Sequence, residues 1–249
     1  MSLDSPGHAM GTSGAWCVLT WNVHGSALPD IASLAAAIRS ESPDVVALQE
    51  IRKPQAVALA TTLQMKYSWV VKHYPYTKLM WRRAEGMAIM TPHLLDAVGH
   101  TEVSDDQPMR SWRRRIAQWG LVGRADRSML MIYNLHLSPH DDAGARRSEA
   151  TRVSELVADI GDDPPSVVAG DFNDAGDSSI IEILPGVEHV APSMSNPSAA
   201  PNQLLDHVLL PETATDVTVA VPSGGADWEA MSDHLPVTVR FNLGGTTRV

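Results

Sequence analysis

The sequence predicts an α/β protein in which two mixed β-sheets pack face to face and helices cover their outer faces. Eleven short apolar segments rich in β-branched residues recur along the 249 residues, and Gly, Pro, Asn and Asp bound them. Three further segments have the periodicity of amphipathic helices. Because eleven strands would curl or split a single open sheet, two packed sheets accommodate both the strands and the helices.

The predicted strands and helices alternate along the chain. Strands are expected at residues 16–23, 44–51, 67–73, 86–90, 94–103, 115–123, 128–137, 166–172, 205–210, 216–221 and 235–241. The first predicted helix, residues 29–40, has Asp30 as its N-cap and an apolar face. The other two are residues 54–63 and 142–160. Residues 185–202 carry four prolines and are predicted to form a long surface loop.

The composition excludes several classes of protein. With 29 acidic and 19 basic residues the formal charge is −10, which argues against binding nucleic acid mainly through an overall positive field, although it allows a local basic groove. The single cysteine excludes an internal disulfide framework and favours a reducing compartment. Residues 1–14 lack the features of a signal peptide, and no apolar run reaches the roughly 18 to 20 residues of a membrane span.

We therefore expect a cytoplasmic protein. It would consist of a flexible tail at residues 1–14, a single domain at residues 15–243 and a C-terminal tail at residues 244–249. A monomer is favoured, although the sequence does not determine the oligomeric state.

Acid, amide and imidazole side chains interrupt the apolar strands at several points. These residues are Asn22 in VLTWN, Glu50 in VVALQE, His136 in YNLHLS, Asp171 and Asn173 in VVAGDFND, Asp206 in LDHVLL, and Asp233 and His234 in MSDHLPV. Because charged groups beside apolar strands are costly to bury unless paired or bound to metal, we expect them to converge at one edge of the two sheets. Oxygen ligands without cysteine favour Mg²⁺ or Mn²⁺ over zinc, and two histidines are left for proton transfer or phosphate binding. This set matches metal-assisted attack of water on a phosphoryl group.

The ordered motifs WN, QE, NLHL, GDFN, LDH and SDHLPV resemble the endonuclease/exonuclease/phosphatase superfamily, which includes pancreatic deoxyribonuclease and apurinic/apyrimidinic endonucleases. The matches run from Trp21 to Pro236 and cover most of the chain in the family's order. GDFN or SDHLP alone is moderately specific for this superfamily, and all six motifs in the same order are much more specific. The resemblance implies a four-layer α/β/β/α sandwich with one cleft between the loops at its top, so the domain at residues 15–243 would be catalytic.

The resemblance also implies which residues hold the metal. Glu50 is expected to be the principal metal ligand, and Asn22 a nearby metal or phosphate contact. Asp233 would be a further ligand or a supporting carboxylate. His136 matches a position that is histidine in the deoxyribonuclease branch, where a glutamate orients the ring. Glu85 in RRAEGMAI is the candidate for that glutamate.

The remaining motif residues are expected to act on water and phosphate. Asp171 would orient or deprotonate the attacking water, and Asn173 would hold the phosphate. His234 would donate to a phosphoryl oxygen, with Asp206 fixing its tautomer. Either His136 or a water on the cation would protonate the leaving oxygen.

Residues 110–115, RSWRRR, contain four arginines and are read either as a phosphate-binding edge or as a solvated loop. Related enzymes place an arginine just before the strand that follows, so Arg114 or Arg115 is the expected phosphate contact. Trp112 lies in the same polar run and is expected to be exposed, unlike most of the tryptophans. The other histidines have no comparable motif and are expected to be structural or superficial: His24, His73, His93, His100, His140, His189 and His207.

Three functions are compatible with these residues. The leading one is a divalent-metal-dependent phosphodiester hydrolase of the nuclease type, which the arginine cluster and His136 support. A phosphatase or phosphodiesterase of a small metabolite or lipid headgroup is the alternative, supported by the acidic balance. The intact set of acids and histidines argues against a binding protein that has lost turnover. The sequence does not decide the substrate, endo- against exo- or monoesterase action, or the number of metal ions.

Overall fold

Two β-sheets lie face to face at the centre of the protein, as the sequence predicts. The computed structural model describes residues 15–75, 78–139, 142–161, 163–174 and 178–243. The two predicted tails and His140 lie outside the described residues. Within the described part the chain forms eleven strands, the number that the sequence predicts.

The strands divide into a six-stranded and a five-stranded sheet. In chain order they are β1 (Trp16–Asn22), β2 (Val45–Arg52), β3 (Lys66–His73), β4 (Glu85–Thr91), β5 (Leu94–Glu102), β6 (Ile116–Gly123), β7 (Met129–His136), β8 (Ser166–Asp171), β9 (Asp206–Leu209), β10 (Ala214–Ala220) and β11 (Val237–Leu243). The sheet orders are β10–β11–β1–β2–β4–β3 and β5–β6–β7–β8–β9. Each sheet contains one parallel pair, β1 with β2 and β7 with β8. Because parallel neighbours end at the same edge, the polar residues that end these strands are brought together.

Helices cover the outer faces of both sheets. They are α1 (Ile31–Glu41), α2 (Lys53–Leu63), α3 (Ala143–Ile160), α4 (Ser178–Ile183) and the single turn α5 (Ala226–Glu229), with 3₁₀ turns at Gly25–Ala27 and Lys78–Arg83. The predicted cap of α1 is confirmed, since Asp30 accepts a hydrogen bond from the Ser33 backbone N–H at 2.8 Å. The two short helices and the 3₁₀ turns were not expected from the sequence. No helix in the described ranges is both long and apolar enough to cross a membrane.

Three apolar cores separate the layers. The core between the sheets contains residues such as Val18, Val45, Ile89, Ile132 and Val167. A second core joins α1 and α2 to the six-stranded sheet, and a third joins α3 and α4 to the five-stranded sheet. The resulting order of layers is α/β/β/α, as the resemblance implies.

The alternation of side chains along each strand decides which polar groups enter the space between the sheets. In β7, Leu130 and Ile132 face the inner core, so His136 shares their face at the end of the strand. In β8, Val167 and Ala169 face inward, and Asp171 follows them on the same face. The polar ends of these strands therefore continue the inner apolar faces.

A buried amide network lies between the sheets just below these polar ends. The Gln49 side-chain nitrogen donates to Asn134 at 2.7 Å and to the Thr20 hydroxyl at 3.0 Å. Asn134 in turn donates to Gln118 at 3.1 Å and to the Leu48 carbonyl at 3.0 Å. Because paired buried amides hold a fixed geometry, the network ties β1 and β2 to β6 and β7 beneath the site.

The stretch at residues 185–202 differs from the predicted surface loop. Ser195 and Ser198 are fully buried. The Ser198 N–H donates to the Asp233 carbonyl at 2.7 Å, and the Leu235 N–H donates to the Ser195 carbonyl at 2.7 Å. The prediction was wrong for this part of the stretch, because its backbone pairs with the segment before β11 instead of with solvent.

Candidate active site

A polar cavity of about 300 Å³ opens between the sheets where β1, β2, β7 and β8 end. Nine of the predicted site residues line it: Asn22, Glu50, Glu85, Arg115, His136, Asp171, Asn173, Asp233 and His234. It is also lined by residues outside the predicted set, namely His24, Lys72, His73, Trp112 and Pro139. Asp206 contacts His234, and Arg114 is not among the lining residues.

A row of inward-facing residues crosses three neighbouring strands of the five-stranded sheet. His136 is paired with Asp171 in the register of β7 and β8, and Asp171 with Asp206 in that of β8 and β9. The Asp171 Oδ2 atom is 3.8 Å from Nε2 of His136 and 3.8 Å from Nε2 of His234. Burial raises the pKa of Asp171, although His234 lowers it. Both candidate catalytic histidines, His136 and His234, therefore approach the same carboxylate, that of Asp171.

Gly170 allows β8 to lie close to β7 at this row. Its φ is +150°, and a Cβ atom there would come within 2.0 Å of the Leu135 carbonyl oxygen. An L-residue side chain does not fit so close to a backbone oxygen, so the glycine of GDFN is required by the approach of the two strands.

Asp206 holds His234 in place from behind. The Asp206 Oδ2 atom is 2.8 Å from Nδ1 of His234 and accepts a hydrogen bond from the Ser195 hydroxyl at 2.6 Å. Burial alone would lower the pKa of His234, but the carboxylates of Asp206 and Asp171 raise it to about 10. The ring is therefore protonated at neutral pH, with Nε2 directed to Asp171.

Glu50 enters the cavity because β2 is irregular at this point. The pairing of β2 with β4 shifts between Leu48 and Ile51, and Glu50 has a φ of +54°. Both Leu48 and Ile51 contribute to the core beneath the helices, so a regular strand would send Glu50 to the face of Leu48. The bulge instead directs the carboxylate into the cavity. Left-handed backbone at a residue other than glycine is a strained state that functional sites often contain.

Glu50 belongs to a group with Glu85 and His136, whose candidate ligand atoms all lie within 4.8 Å of one another. Burial raises the pKa of Glu50, and the Glu85 carboxylate raises it further. Burial is the largest influence on Glu85 and would raise its pKa, but the ion pair with Lys72 at 2.5 Å, together with His73 and Arg115, lowers the pKa overall. The pKa of His136 is far below its usual value, first because of burial and then because of Lys72. This group thus combines two carboxylates, a neutral imidazole and one buried ammonium.

The expected contact between Glu85 and the His136 ring is not formed. Among the described residues no hydrogen-bond partner is found for the buried Nδ1 atom of His136. Glu85 pairs with Lys72 instead, because the ammonium is the stronger attraction within reach of the carboxylate. Lys72 itself was not predicted, and its place at the end of an apolar strand was the only sequence signal for it.

Asn22 bridges the two acidic groups. Its side-chain nitrogen donates to Asp171 Oδ2 at 3.0 Å and to Glu50 Oε1 at 3.3 Å, and its oxygen accepts from the His24 N–H at 3.1 Å. In this orientation the amide presents nitrogen, not oxygen, to the carboxylates. Its oxygen already accepts one hydrogen bond from His24, and the role of Asn22 as a metal or phosphate contact stays a prediction.

Asn173 is fixed beside Asp171 by its backbone. Its N–H donates to Asp171 Oδ1 at 2.9 Å, and its side-chain nitrogen donates to the Leu137 carbonyl at 3.0 Å. Asn173 has a φ of +52°, which asparagine tolerates better than most residues. One side-chain N–H is thus committed to Leu137, and the other is available to a ligand in the cavity.

The two neighbouring arginines have different positions. Arg115 lines the cavity and donates to the Trp112 carbonyl at 2.6 Å. Arg114 binds Glu102 at 3.0 Å and donates to the Lys72 carbonyl at 2.6 Å, so it holds β3 against the loop. The Arg114 guanidinium is thus bound by groups of the protein itself, which leaves Arg115 as the member of the pair that borders the cavity.

Asp233 lies at the rim of the cavity. Its Oδ1 atom is 3.3 Å from Nδ1 of His24, and its side chain is 52% exposed. Asp233 belongs to neither group of candidate ligands found among the described residues. His24 and His73 also line the cavity, although both were expected to be structural or superficial. No sequence motif includes them: His24 lies two residues beyond β1, and His73 is the last residue of β3.

Two groups of side chains could hold a metal ion by their proximity. They are Glu50 with Glu85 and His136, and Asp171 with Asp206 and His234. In the second group Asp206 and His234 already bind each other, whereas Glu50 keeps oxygen directed to the cavity. Carboxylate oxygens beside a polar cavity suit Mg²⁺ or Mn²⁺.

Comparison with known proteins identifies the family. A sequence profile of the Endonuclease/Exonuclease/phosphatase family matches residues 19–234. The uncharacterized protein YbhP of Escherichia coli K12 is 24% identical over 255 residues, which cover 91% of this chain and 96% of the relative. An endonuclease/exonuclease/phosphatase structure from Bacteroides vulgatus covers 92% of this chain and 99% of its own at a TM-score of 0.74 and 18% identity. A mannosyl-6-phosphatase of Bacteroides thetaiotaomicron covers 92% of this chain and 100% of its own at a TM-score of 0.68 and 19% identity. Because the profile matches far more than half of the chain, this protein belongs to the endonuclease/exonuclease/phosphatase family.

Proposed function

We propose that the protein is a divalent-metal-dependent phosphodiester hydrolase of the nuclease type. One observation carries the proposal: Oδ2 of Asp171 lies 3.8 Å from Nε2 of His234 and is joined through the Asn22 amide to Glu50. A carboxylate that can accept a proton and a cation that can bind a phosphoryl oxygen are the two parts that attack of water on phosphorus needs.

Glu50 is the residue that we propose holds Mg²⁺ or Mn²⁺, with Glu85 beside it. The donors fit such an ion, since the carboxylate oxygens of both residues line the cavity and their candidate ligand atoms lie within 4.8 Å of one another. When bound, the ion supplies charge that stabilises a phosphoryl oxygen. Asp233 at the rim would contribute only as a supporting carboxylate.

Asp171 accepts a proton from the attacking water. Its Oδ1 atom is held by the Asn173 N–H, so Oδ2 is the oxygen that faces the water. As the new oxygen–phosphorus bond forms, the bond to the leaving oxygen opposite breaks, and Nε2 of His234 donates to a phosphoryl oxygen as its charge grows. Asp206 keeps Nδ1 of His234 bound, so that the proton on Nε2 faces the cavity.

His136 and Arg115 complete the proposed binding of phosphate. Burial keeps His136 neutral, so its ring contributes a hydrogen bond and not a proton, and a solvent water supplies the proton to the leaving oxygen. Arg115 brings a fixed positive charge to the cavity and balances part of its acidity.

Hydrolysis of bis(p-nitrophenyl) phosphate and of a labelled oligonucleotide, each in Mg²⁺ or Mn²⁺, tests the proposal. We expect Asp171→Asn to reduce kcat by at least about 100-fold, the size typical of a lost proton acceptor. Asp159→Asn is the matched control, because Asp159 is exposed on α3. Excess chelator should abolish turnover and either cation should restore it. Full activity in Asp171→Asn or in chelator contradicts the proposal.

A second function is favoured by the size of the cavity and the acidity of the protein. A cavity of about 300 Å³ in a protein of net charge −10 also suits a small phosphate ester, and the same fold occurs in a protein described as a mannosyl-6-phosphatase. Release of inorganic phosphate from a panel of nucleotides, sugar phosphates and inositol phosphates separates the two. Phosphate release without cleavage of any diester would replace the first proposal by the second.

A further inference from the structure

The ring of Trp112 is exposed at the mouth of the cavity. Its surface is 53% accessible, although a tryptophan is normally covered. Apart from Trp112 and Pro139, every described residue that lines the cavity is polar or charged. A ligand in the cavity therefore finds its apolar contact at the mouth, next to the groups that we propose bind phosphate.

The backbone around Trp112 is held firmly although the ring is exposed. Arg115 donates to the Trp112 carbonyl at 2.6 Å, and the Arg114 N–H donates to the Ser111 carbonyl at 3.1 Å. The Ser111 hydroxyl donates to Gln107 at 2.9 Å. A ring whose backbone is already ordered loses little conformational freedom when it contacts a ligand.

Further exposed apolar side chains lie on segments joined to Trp112. Met109 is 43% exposed, and its carbonyl accepts a hydrogen bond from the Tyr74 N–H at 2.8 Å. The Tyr74 ring contacts that of Trp81, with centroids 5.3 Å apart, and Trp81 is 46% exposed. We call Tyr74, Trp81, Met109 and Trp112 the aromatic ledge.

Positive charge accompanies the aromatic ledge. The Arg113 guanidinium lies 5.3 Å from the Trp112 ring centroid. Arg82 and Arg83 follow Trp81, and Arg110 follows Met109, and all four of these arginines are exposed. In a protein of net charge −10, this concentration of arginine complements a chain of phosphates beside flat rings.

We infer that Trp112 stacks on a base of a single-stranded nucleic acid whose phosphate lies in the cavity. The inference rests on the proposed phosphodiesterase function and names its substrate class. An acyl chain would need an apolar cavity, which the polar lining does not provide, whereas a base needs only one flat face beside a phosphate site. Single strands are specified because the bases of a duplex already stack on one another.

Binding of two oligomers of equal charge tests this inference. Fluorescence anisotropy compares a labelled eight-nucleotide oligothymidylate with an abasic oligomer of the same length, in Mg²⁺ and in an Asp171→Asn background that slows turnover. We expect the bases to tighten binding about 5- to 150-fold, the range that base–aromatic stacking gives. The ratio of the two affinities, oligothymidylate over abasic oligomer, should fall to within about twofold of unity in Trp112→Ala and Trp112→Leu, while affinity for the abasic oligomer is unchanged. Trp112→Phe should retain most of the preference for bases.

Tyr67→Ala is the matched control, because Tyr67 is an exposed aromatic residue at the start of β3, the opposite end of the strand from the cavity-lining Lys72 and His73. Its ratio should equal that of the background protein. No preference for bases, no binding of either oligomer, or a preference that Trp112→Leu keeps would overturn the inference. Equal loss of affinity for both oligomers would also overturn it, since Trp112 would then act through the phosphate site. Cleavage by Asp171→Asn at the native rate would instead count against the proposed function.

Discussion

The contact between Asp206 and His234 gives the sharpest test of the site. Both side chains are buried, and Asp206 Oδ2 lies 2.8 Å from Nδ1 of the ring. Asp206→Asn keeps the shape of the side chain but removes its charge. The ring then loses one of the carboxylates that raise its pKa to about 10 from the ordinary 6.5.

The size of the effect follows from the kind of contact. A hydrogen bond to a charged group contributes about 1.5–3 kcal/mol, which corresponds to a loss in kcat of about 10- to 150-fold if the bond is needed only when charge grows on the phosphoryl oxygen. We expect KM to change much less, because the cavity keeps Arg115 and Asn173. Steady-state kinetics on bis(p-nitrophenyl) phosphate measures both constants.

Ser195→Ala provides the matched control. It removes the hydroxyl that donates to the same Asp206 oxygen but keeps the carboxylate and its contact with His234. We therefore expect a smaller loss than in Asp206→Asn. A kcat within twofold of the native value in Asp206→Asn, or an equal loss in both variants, would refute the reasoning.

The same contact predicts how stability depends on pH. Because the pKa of His234 is raised in the folded state, its contribution to the free energy of unfolding is present in full below pH 6.5 and is lost as the pH rises through about 10. Urea unfolding between pH 6 and 11 should show this loss, and Asp206→Asn should reduce it. An identical pH dependence in the two proteins would contradict the assignment of the raised pKa to this pair.

Three further predictions concern the rest of the molecule. Leu34→Ala should lower the free energy of unfolding by about 2–5 kcal/mol in urea titrations without changing kcat, since Leu34 is buried on the inner face of α1 and does not line the cavity. Lys72→Met should destabilise the protein in chelator by about 1–3 kcal/mol, less than a fully buried pair because Glu85 is 24% exposed, and adding Glu85→Leu should recover most of the loss. Additive losses in that double-mutant cycle would count against the pair. The Cys17 thiol should react with a thiol reagent at pH 8 only after unfolding, because burial raises its pKa to about 11, and rapid reaction of the folded protein would show that reasoning to be wrong.

Much of the architecture could be predicted because it depends on local patterns. The number of strands, the cap of α1 and the two-sheet arrangement follow from apolar periodicity and from turn residues. Alternation along β7 and β8 also places His136 and Asp171 on the inner face without knowledge of their neighbours. Family motifs then identified most of the residues that line the cavity.

The sequence by itself thus determined the layers, the strands and the identity of most site residues, and the tertiary structure decided how those residues are paired. Glu50 faces the cavity only because of a bulge against β4, and Arg114 and Arg115 diverge although they are adjacent. Lys72 takes Glu85 away from the His136 ring. The physical reason is that a strand's faces are set by its own alternation, whereas ion pairs, bulges and the burial of a loop depend on residues that are distant in the chain and meet only after the sheets have packed.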